Sequence, residues 1–377
     1  MRDYLLVAAI AAAVTAVATP LVASVARRSG AVDVPADPRK VHKEPVPTLG
    51  GIAMIIGFFV ALGIAALLPE FDDVFGSTSE PIGLALGVVL IGLLGIVDDL
   101  RGLAPTVKLA GQIVASLAPV LFGIQLVYGW VPGLGVVAVA PDLGMPLTIL
   151  LMLAMINAVN LIDGLDGLAA GVVGIAAVAF FLFTVVSEGQ GLVESIPTAA
   201  PLAAAILAGM CVGFLVHNFH PASIFMGDTG SMTLGLLLAS SGIAYVGRST
   251  VPTYSDFTGS FPLLIPVVVL AIPFVDTAFA IARRAYRRQP LSMADKGHLH
   301  HLLITFGHSH RRAVVVLYYW SATIAGGVVA LAALDDTWVV IGGIVAVVIG
   351  LGVTMFGLQG GEADVVADDT SRADTSA

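Results

Sequence analysis

Charged residues are scarce in this chain. They make up 11% of its 377 residues, whereas roughly a quarter of the residues are charged in a typical soluble domain. Hydrophobic residues make up 58% of the chain, and the mean hydropathy is +0.98. This composition excludes a soluble globular domain and predicts a polytopic protein of the lipid bilayer.

Cysteine and positive charge are also in short supply. The single cysteine, Cys211, has no second thiol to pair with, so the chain has no disulfide framework. The 17 Lys and Arg residues are outnumbered by 26 Asp and Glu, and the net charge of -9 argues against nucleic acid as a partner. Part of the negative charge lies in the C-terminal residues, which are rich in Ser, Thr and Ala. We therefore expect a disordered acidic cytoplasmic tail over residues 359–377, behind one integral-membrane domain over residues 1–358.

Apolar runs long enough to cross a bilayer as α-helices recur along the chain. They predict an all-α polytopic membrane fold of about eleven transmembrane helices. We place these near residues 4–26, 49–69, 82–97, 106–127, 146–160, 167–187, 199–217, 230–247, 261–282, 313–334 and 337–358. Between two of them, residues 127–145 alternate Gly and Pro with short β-branched runs, which predicts a small hairpin.

The distribution of positive charge predicts the orientation. Of the 17 Lys and Arg residues, all except Arg2 and Arg248 fall on one side of the membrane if the helices are threaded in this order. The positive-inside rule then places the N-terminus outside and the C-terminus in the cytoplasm.

Acidic and amide residues cluster at helix ends that this topology places in the cytoplasm. One cluster runs from Asn157 to Asp166, a second is Asp98-Asp99, and a third contains Asp228. Such side chains at the end of a membrane helix cost free energy unless they meet water, a metal or a ligand. Their collection on one face predicts a functional site there.

The residue types in these clusters indicate phosphate chemistry. Carboxylates without thiols suit a hard cation, so we expect Mg²⁺, with Mn²⁺ as a substitute, held with the help of substrate phosphates. The basic segments 39–43 and 296–301 supply cationic groups for those phosphates. Acidic side chains that can bind a metal and basic side chains that can bind phosphate, at one membrane surface, predict phosphoryl transfer.

A proton-coupled membrane transporter is the alternative from another class, because carboxylates in membrane helices often mark ion pathways. Transporter sites usually lie near the bilayer midplane on broken helices. The acids of this chain lie instead at predicted helix ends, which favours an enzyme.

Several of these motifs together resemble a known family. The chain is similar, from about residue 33 to residue 316, to the polyprenyl-phosphate N-acetylhexosamine-1-phosphate transferases, the WecA/TagO/MraY family. The matching motifs are Arg39-Lys-Val-His-Lys43 with Pro47-Thr-Leu-Gly-Gly51, then Gly95-Ile-Val-Asp-Asp99, Asn157-Ala-Val-Asn160-Leu-Ile-Asp163-Gly-Leu-Asp166-Gly-Leu168, Phe225-Met-Gly-Asp-Thr-Gly-Ser231 and His298-Leu-His-His301.

The resemblance implies a reaction and its partners. The family transfers a sugar 1-phosphate from a UDP-sugar to a membrane polyprenyl phosphate, undecaprenyl or decaprenyl, releasing UMP and giving a polyprenyl-diphosphate sugar. It implies a bacterial inner or plasma membrane location, a cytoplasmic active site, the first lipid-linked step of a cell-wall or surface polysaccharide, and compatibility with a homodimer.

The resemblance also implies roles for residues. Asp228 resembles the Mg²⁺ ligand, and Asp98 resembles the residue that deprotonates or orients the lipid phosphate. The other expected catalytic residues are Asp99, Asp163, Asp166, His298, His300 and His301. The expected substrate-binding residues are Lys43 at the diphosphate, Asn218 and Phe225 at the uracil, and Asn157 and Asn160.

Physical chemistry ranks these roles. A phosphate monoester has a second pKa of about 6, so the lipid phosphate is already mostly dianionic at neutral pH and needs little help from a base. The larger difficulty is the repulsion between two anionic substrates, which cations must offset. We therefore rank Asp228 first, Asp99 and Asp98 next, and the histidines after them. His308 and His310, which follow in a basic loop, are expected to be solvated.

The histidine motif bears on the sugar. The muramyl-pentapeptide branch of the family carries a Pro-x-His-His-His-Phe-Glu pattern, whereas this chain has Gly297-His-Leu-His-His-Leu-Leu303. This difference favours UDP-N-acetylglucosamine as the donor, with muramyl-pentapeptide transfer as the alternative.

Overall fold

The structure is a computed structural model that describes residues 1–33, 45–131, 135–189, 197–248, 308–334, 338–339 and 341–354. It is mostly helical. The helices are α1 (Arg2–Ser29), α2 (Gly50–Ala65), α3 (Asp72–Ser77), α4 (Glu80–Arg101), α5 (Pro105–Leu121), α6 (Pro141–Ile162), α7 (Leu168–Gly189), α8 (Ala200–Asn218), α9 (Gly227–Arg248), α10 (His310–Ala333) and α11 (Ile341–Thr354). The strands are β1 (Val32–Asp33), β2 (Val46–Pro47), β3 (Tyr128–Val131) and β4 (Gly135–Ala138).

The helices confirm a polytopic membrane protein. Within the described ranges, seven are long and apolar enough to cross a membrane; α2 and the helical segment Pro69–Ser77, bent by 92°, add an eighth if the two are counted as one span. Helices α5 and α11 are apolar but shorter than a full span. The predicted helix at 261–282 and the predicted tail at 359–377 lie outside the described residues, so the count of eleven stays a prediction.

Two small antiparallel sheets qualify the all-α prediction. Strands β3 and β4 pair with Tyr128 opposite Ala138, which confirms the predicted hairpin. Strands β1 and β2 were not predicted. They pair Val32 with Pro47 and so bring together the chain on either side of the basic segment that contains Lys43.

Helix α9 lies at the centre of the bundle, and its first turn is packed against backbone. It is almost wholly enclosed, whereas α1 exposes most of its surface. A Cβ atom added at Gly51 of α2 would lie 2.1 Å from the backbone nitrogen of Gly230, and one added at Gly95 of α4 would lie 2.4 Å from Cα of Thr229. Because these two glycines have no side chain, α2 and α4 approach α9 at backbone contact distance. This packing fixes where α9 begins, and the acidic residues meet at that point.

Candidate active site

Asp98, Lys108 and Asp228 form an ion-pair cluster at the ends of three helices. The Nζ atom of Lys108 lies 2.9 Å from Oδ2 of Asp98 and 2.7 Å from Oδ2 of Asp228. Asp98 belongs to the last turn of α4, Lys108 to the first turn of α5, and Asp228 to the first turn of α9. A short loop joins α4 to α5, and within it the backbone N–H of Leu103 donates to Oδ1 of Asp98 at 2.6 Å. Both oxygens of Asp98 therefore have partners.

Lys108 is a site residue that sequence reasoning missed. Its charge contributes to the predicted orientation, and it lies at the start of a predicted apolar helix. A cation in that position is costly unless it is paired, and this cost is the signal that could have identified it. The structure shows its partners to be two of the predicted acids.

Asp99, the neighbour of Asp98, faces a different element. It accepts hydrogen bonds from the backbone N–H groups of Asp228 and Thr229, at 2.7 and 3.1 Å, and from the Thr229 hydroxyl at 2.6 Å. A carboxylate at a helix N-terminus satisfies donors that have no partner in the helix and interacts favourably with the helix dipole. Asp99 thus anchors the start of α9 and orients Asp228.

The two predicted amides lie one turn apart on α6 and face different groups. Asn160 donates to Oδ1 of Asp228 and to the Ser231 hydroxyl, the latter at 2.9 Å. Asn157 pairs with the amide of Gln112, donating to its Oε1 at 2.9 Å. Gln112 lies one turn beyond Lys108 on α5. Asn160 is therefore part of the acidic cluster, whereas Asn157 joins α5 to α6 beneath it.

Asp163 follows the last residue of α6 and lies among the other acids. Burial, together with the negative charges of Asp228, Asp99 and Asp166, raises the pKa of its carboxyl to about 8. Among the described residues, no cation pairs with it. A cation bound beside it would favour the ionised form of this carboxyl.

Asp166 makes contacts unlike those of the other predicted acids. Its Oδ2 lies 2.6 Å from Nδ1 of His220 and accepts the backbone N–H of Ala222 at 3.1 Å. Its backbone N–H donates to Nε2 of His310 at 3.0 Å. The rings of His220 and His310 are stacked, with centroids 4.3 Å apart.

The expectation that His308 and His310 are solvated is wrong. His310 is half-buried and contacts Asp166, from which it is separated by 144 positions in the sequence. His308 is 3% exposed, and burial, followed by the positive charge of Arg312, lowers the pKa of its imidazole. The basic composition of residues 308–312 suggested a solvated loop, but His310 contacts Asp166 of the site.

Asn218 and Phe225 border the same region. The amide of Asn218 is buried, accepts the N–H of Gly167 at 3.0 Å and donates to the carbonyl of Ile224 at 2.9 Å. Phe225 is half-exposed, and its backbone pairs with Pro47 and Gly50, both at 2.9 Å. Asn218 thus ties the loop after α6 to the segment before α9.

The structure brings most of the predicted residues together. Asp98, Asp99, Asn160, Asp163 and Asp228 surround the start of α9, with Asp166, Asn218 and Phe225 on segments joined to it. Lys43, His298, His300 and His301 lie outside the described residues, and their roles stay predictions.

Fold and site together define the class of protein. It is a multi-pass membrane protein whose helix ends assemble carboxylates, amides and a lysine into one oxygen-rich cluster. Such a cluster suits hard cations and phosphate groups.

Comparisons with known proteins name the family. The model of glycosyl transferase family 4 matches residues 81–246. The decaprenyl-phosphate N-acetylglucosaminephosphotransferase of Mycolicibacterium smegmatis is 40% identical over 369 residues, 95% of this chain and 89% of the relative. The protein of that name from Mycobacterium tuberculosis is 38% identical over 335 residues, 87% and 82% of the two chains. A Bacillus subtilis protein, named as a probable undecaprenyl-phosphate N-acetylglucosaminyl 1-phosphate transferase, is 37% identical over 300 residues, 80% and 77%.

The chain therefore belongs to the polyprenyl-phosphate N-acetylhexosamine-1-phosphate transferase family, and the resemblance inferred from its motifs is confirmed.

Proposed function

We propose that this protein transfers N-acetylglucosamine 1-phosphate from UDP-N-acetylglucosamine to a membrane polyprenyl phosphate. The observation that carries the proposal is the Asp98–Lys108–Asp228 cluster, joined by Asn160, at the ends of membrane helices. The names of relatives that are 37% to 40% identical support the lipid acceptor and the sugar. The product is the first lipid-linked intermediate of a cell-wall or surface polysaccharide.

The proposed step is a displacement at phosphorus. An oxygen of the lipid phosphate attacks the phosphorus that bears the sugar, a new P–O bond forms, and the bond from that phosphorus to the UMP oxygen breaks. The lipid gains the sugar phosphate, and UMP leaves with the bridging oxygen. Because the attacking phosphate is already mostly dianionic, with a second pKa of about 6, the main task of the protein is to hold two anions together.

The contacts of Asp98 support a positioning role. One of its oxygens faces Lys108 and the other accepts the N–H of Leu103. A carboxylate engaged in this way is a poor proton acceptor, because hydrogen bonds to its charged form stabilise that form. We therefore assign Asp98 to the placement of Lys108, whose ammonium compensates anionic charge at the reacting groups.

The donor set fits Mg²⁺, with Mn²⁺ as a substitute. The acids around the start of α9 offer oxygen ligands, and the carboxyl of Asp163 has a raised pKa because burial and neighbouring negative charge disfavour its ionised form. Asp228 and Asp163 would hold the ion. When bound, it would neutralise negative charge on the diphosphate.

The substrate assay tests the function directly. With purified protein, Mg²⁺ and polyprenyl phosphate in detergent, we expect UDP-N-acetylglucosamine to support UMP release and UDP-N-acetylmuramyl-pentapeptide to be inert. The histidine motif lacks the muramyl-branch pattern, and a pocket gains nothing from the lactyl-peptide unless it contacts that extension, since specificity rests on differential contacts. Reactions without the lipid phosphate are the control. Faster release from the pentapeptide nucleotide would assign the protein to the muramyl branch, and no release from either nucleotide would refute the reaction.

We also propose the cytoplasm as the side of the active site. The charge distribution predicts that a reporter fused after Gly361 is cytoplasmic and that one inserted within residues 249–260 is external. Paired fusions to alkaline phosphatase and to a fluorescent protein measure this, because each is active on one side only. The opposite labelling would place the acids away from the cytoplasmic nucleotide sugar and would contradict the proposal.

We propose in addition a single membrane domain over residues 1–358, an acidic tail over residues 359–377 and a homodimer.

A further inference from the structure

His220 and His310 meet at Asp166 from distant parts of the chain. Asp166 lies in the loop between α6 and α7, His220 follows the end of α8, and His310 is the first residue of α10. The carboxylate of Asp166 faces Nδ1 of His220 at 2.6 Å, and its backbone N–H faces Nε2 of His310 at 3.0 Å. The proposed reaction has so far given neither histidine a role.

The partners of each ring determine where its protons lie. A backbone N–H can only donate, so Nε2 of His310 accepts and carries no proton. The Nδ1 atom of His220 faces a carboxylate oxygen that also accepts the N–H of Ala222, so Nδ1 donates. The two histidines therefore hold Asp166 in complementary ways, one through its carboxylate and the other through its backbone. Within the described residues, Oδ1 of Asp166 accepts no hydrogen bond and is left for another donor.

Further bonds fix the loop of residues 163–167 against α10. The Tyr318 hydroxyl donates to the carbonyl of Gly167, and the N–H of Gly167 donates to Oδ1 of Asn218. Arg311 donates from Nε to the carbonyl of His220 at 3.0 Å. The stacked histidine rings, inclined by 18°, lie between these contacts. The loop that carries Asp163 and Asp166 thus depends on α10 for its position.

A shared metal ion would be a different use of the same three side chains. Their ligand atoms all lie within 4.8 Å of one another. However, the lone pair of His310 Nε2 already accepts a backbone N–H. Nearly parallel stacked rings also direct their lone pairs along parallel planes, so the rings would have to turn before both could bind one ion.

We propose that His220 and His310 are positioning residues that present Asp166, whose Oδ1 accepts no hydrogen bond from the described residues, to the nucleotide sugar. The inference rests on the proposed function for its substrate. Asp166 held in this way offers a hydrogen-bond acceptor that the substrate meets in the ground state and the transition state alike. Loss of such a contact raises KM and leaves kcat nearly unchanged.

Matched variants separate positioning from packing. His220→Phe and His310→Phe keep a stacked aromatic ring but lose the donor and the acceptor. His220→Asn keeps a donor near the place of Nδ1, and His310→Gln keeps an acceptor near the place of Nε2. We expect each Phe variant to raise KM for UDP-N-acetylglucosamine about tenfold, with kcat within about twofold, because each should weaken the charge-assisted hydrogen bond from the substrate to the Asp166 carboxylate. The Asn and Gln variants should return KM to within about threefold of the unchanged protein.

A second measurement does not depend on turnover. Amide hydrogen exchange in a peptide that covers residues 163–167 should speed up in both Phe variants and stay slow in the Asn and Gln variants. Faster exchange in a protein that releases no UMP would refute the reaction and leave the positioning of the loop standing. Unchanged exchange in the Phe variants would overturn the inference, as would an unchanged KM or a fall in kcat alone. If the unchanged protein bound one Zn²⁺ and the Phe variants did not, the three side chains would form a metal centre and the positioning role would be rejected.

Discussion

Asp228→Asn is expected to lower kcat for UMP release at least about a hundredfold, the scale of losing a central electrostatic group. In the structure, Oδ1 of Asp228 accepts from Asn160 and Oδ2 accepts from Lys108. An asparagine has one acceptor oxygen, so its NH₂ group must face one of these two donors. The substitution therefore removes a negative charge from the site and creates a repulsive contact.

The fold should survive this change, because Asp99 holds the start of α9 through the backbone of residues 228 and 229. Asp142→Asn is the matched control, since Asp142 is exposed and is also the second residue of its helix, α6. Steady-state UMP release and thermal unfolding of both purified variants measure the effect. Near-normal turnover of a stable Asp228→Asn protein would remove Asp228 from the catalytic group.

Lys108→Met is expected to lower kcat by a similar factor, about a hundredfold, and to lower the melting temperature as well. Methionine keeps the length of the side chain and removes its charge. Two carboxylates, of which Asp98 is almost fully buried, then lose their shared cation. Breaking a buried ion pair on one side destabilises a protein because the remaining charge has no compensation.

The double variant Lys108→Met/Asp98→Asn separates stability from catalysis. It removes one of the unpaired charges, so the melting temperature should recover toward that of the unchanged protein while turnover stays low. Arg101→Met serves as the control for loss of a cation at the same end of α4, because Arg101 is exposed. Full turnover of Lys108→Met would show that Lys108 has no catalytic role.

The sequence predicted the helices better than it predicted the contacts among their polar ends. Apolar runs give the position of a helix along the chain, and each described helix of the predicted set lies near its expected place. They do not give its partner. Asp98 and Asp99 are adjacent in the sequence, but successive residues of a helix point about 100° apart. One consequently meets Lys108, and the other meets the start of α9.

Other contacts could not be predicted for the same reason. The contact of His310 with Asp166 and the pairing of Asn157 with Gln112 join residues 144 and 45 positions apart. No local pattern encodes such distances. A histidine in a basic loop therefore resembled a solvated one, and the partner of Asn157 could not be foreseen, while its substrate-binding role stays a prediction.

The glycine contacts at α9 determine how firmly the start of that helix is held. Because Gly51 and Gly95 let backbone touch backbone, the first turn of α9 has no slack in which to shift. Lys108, in contrast, reaches Asp228 with a flexible four-carbon side chain extended from α5. The start of α9 is thus held by backbone contacts, whereas Lys108 is held by its two ion pairs. A side chain added at position 51 or 95 would therefore displace the start of α9, and with it Asp228, from its place beside Lys108.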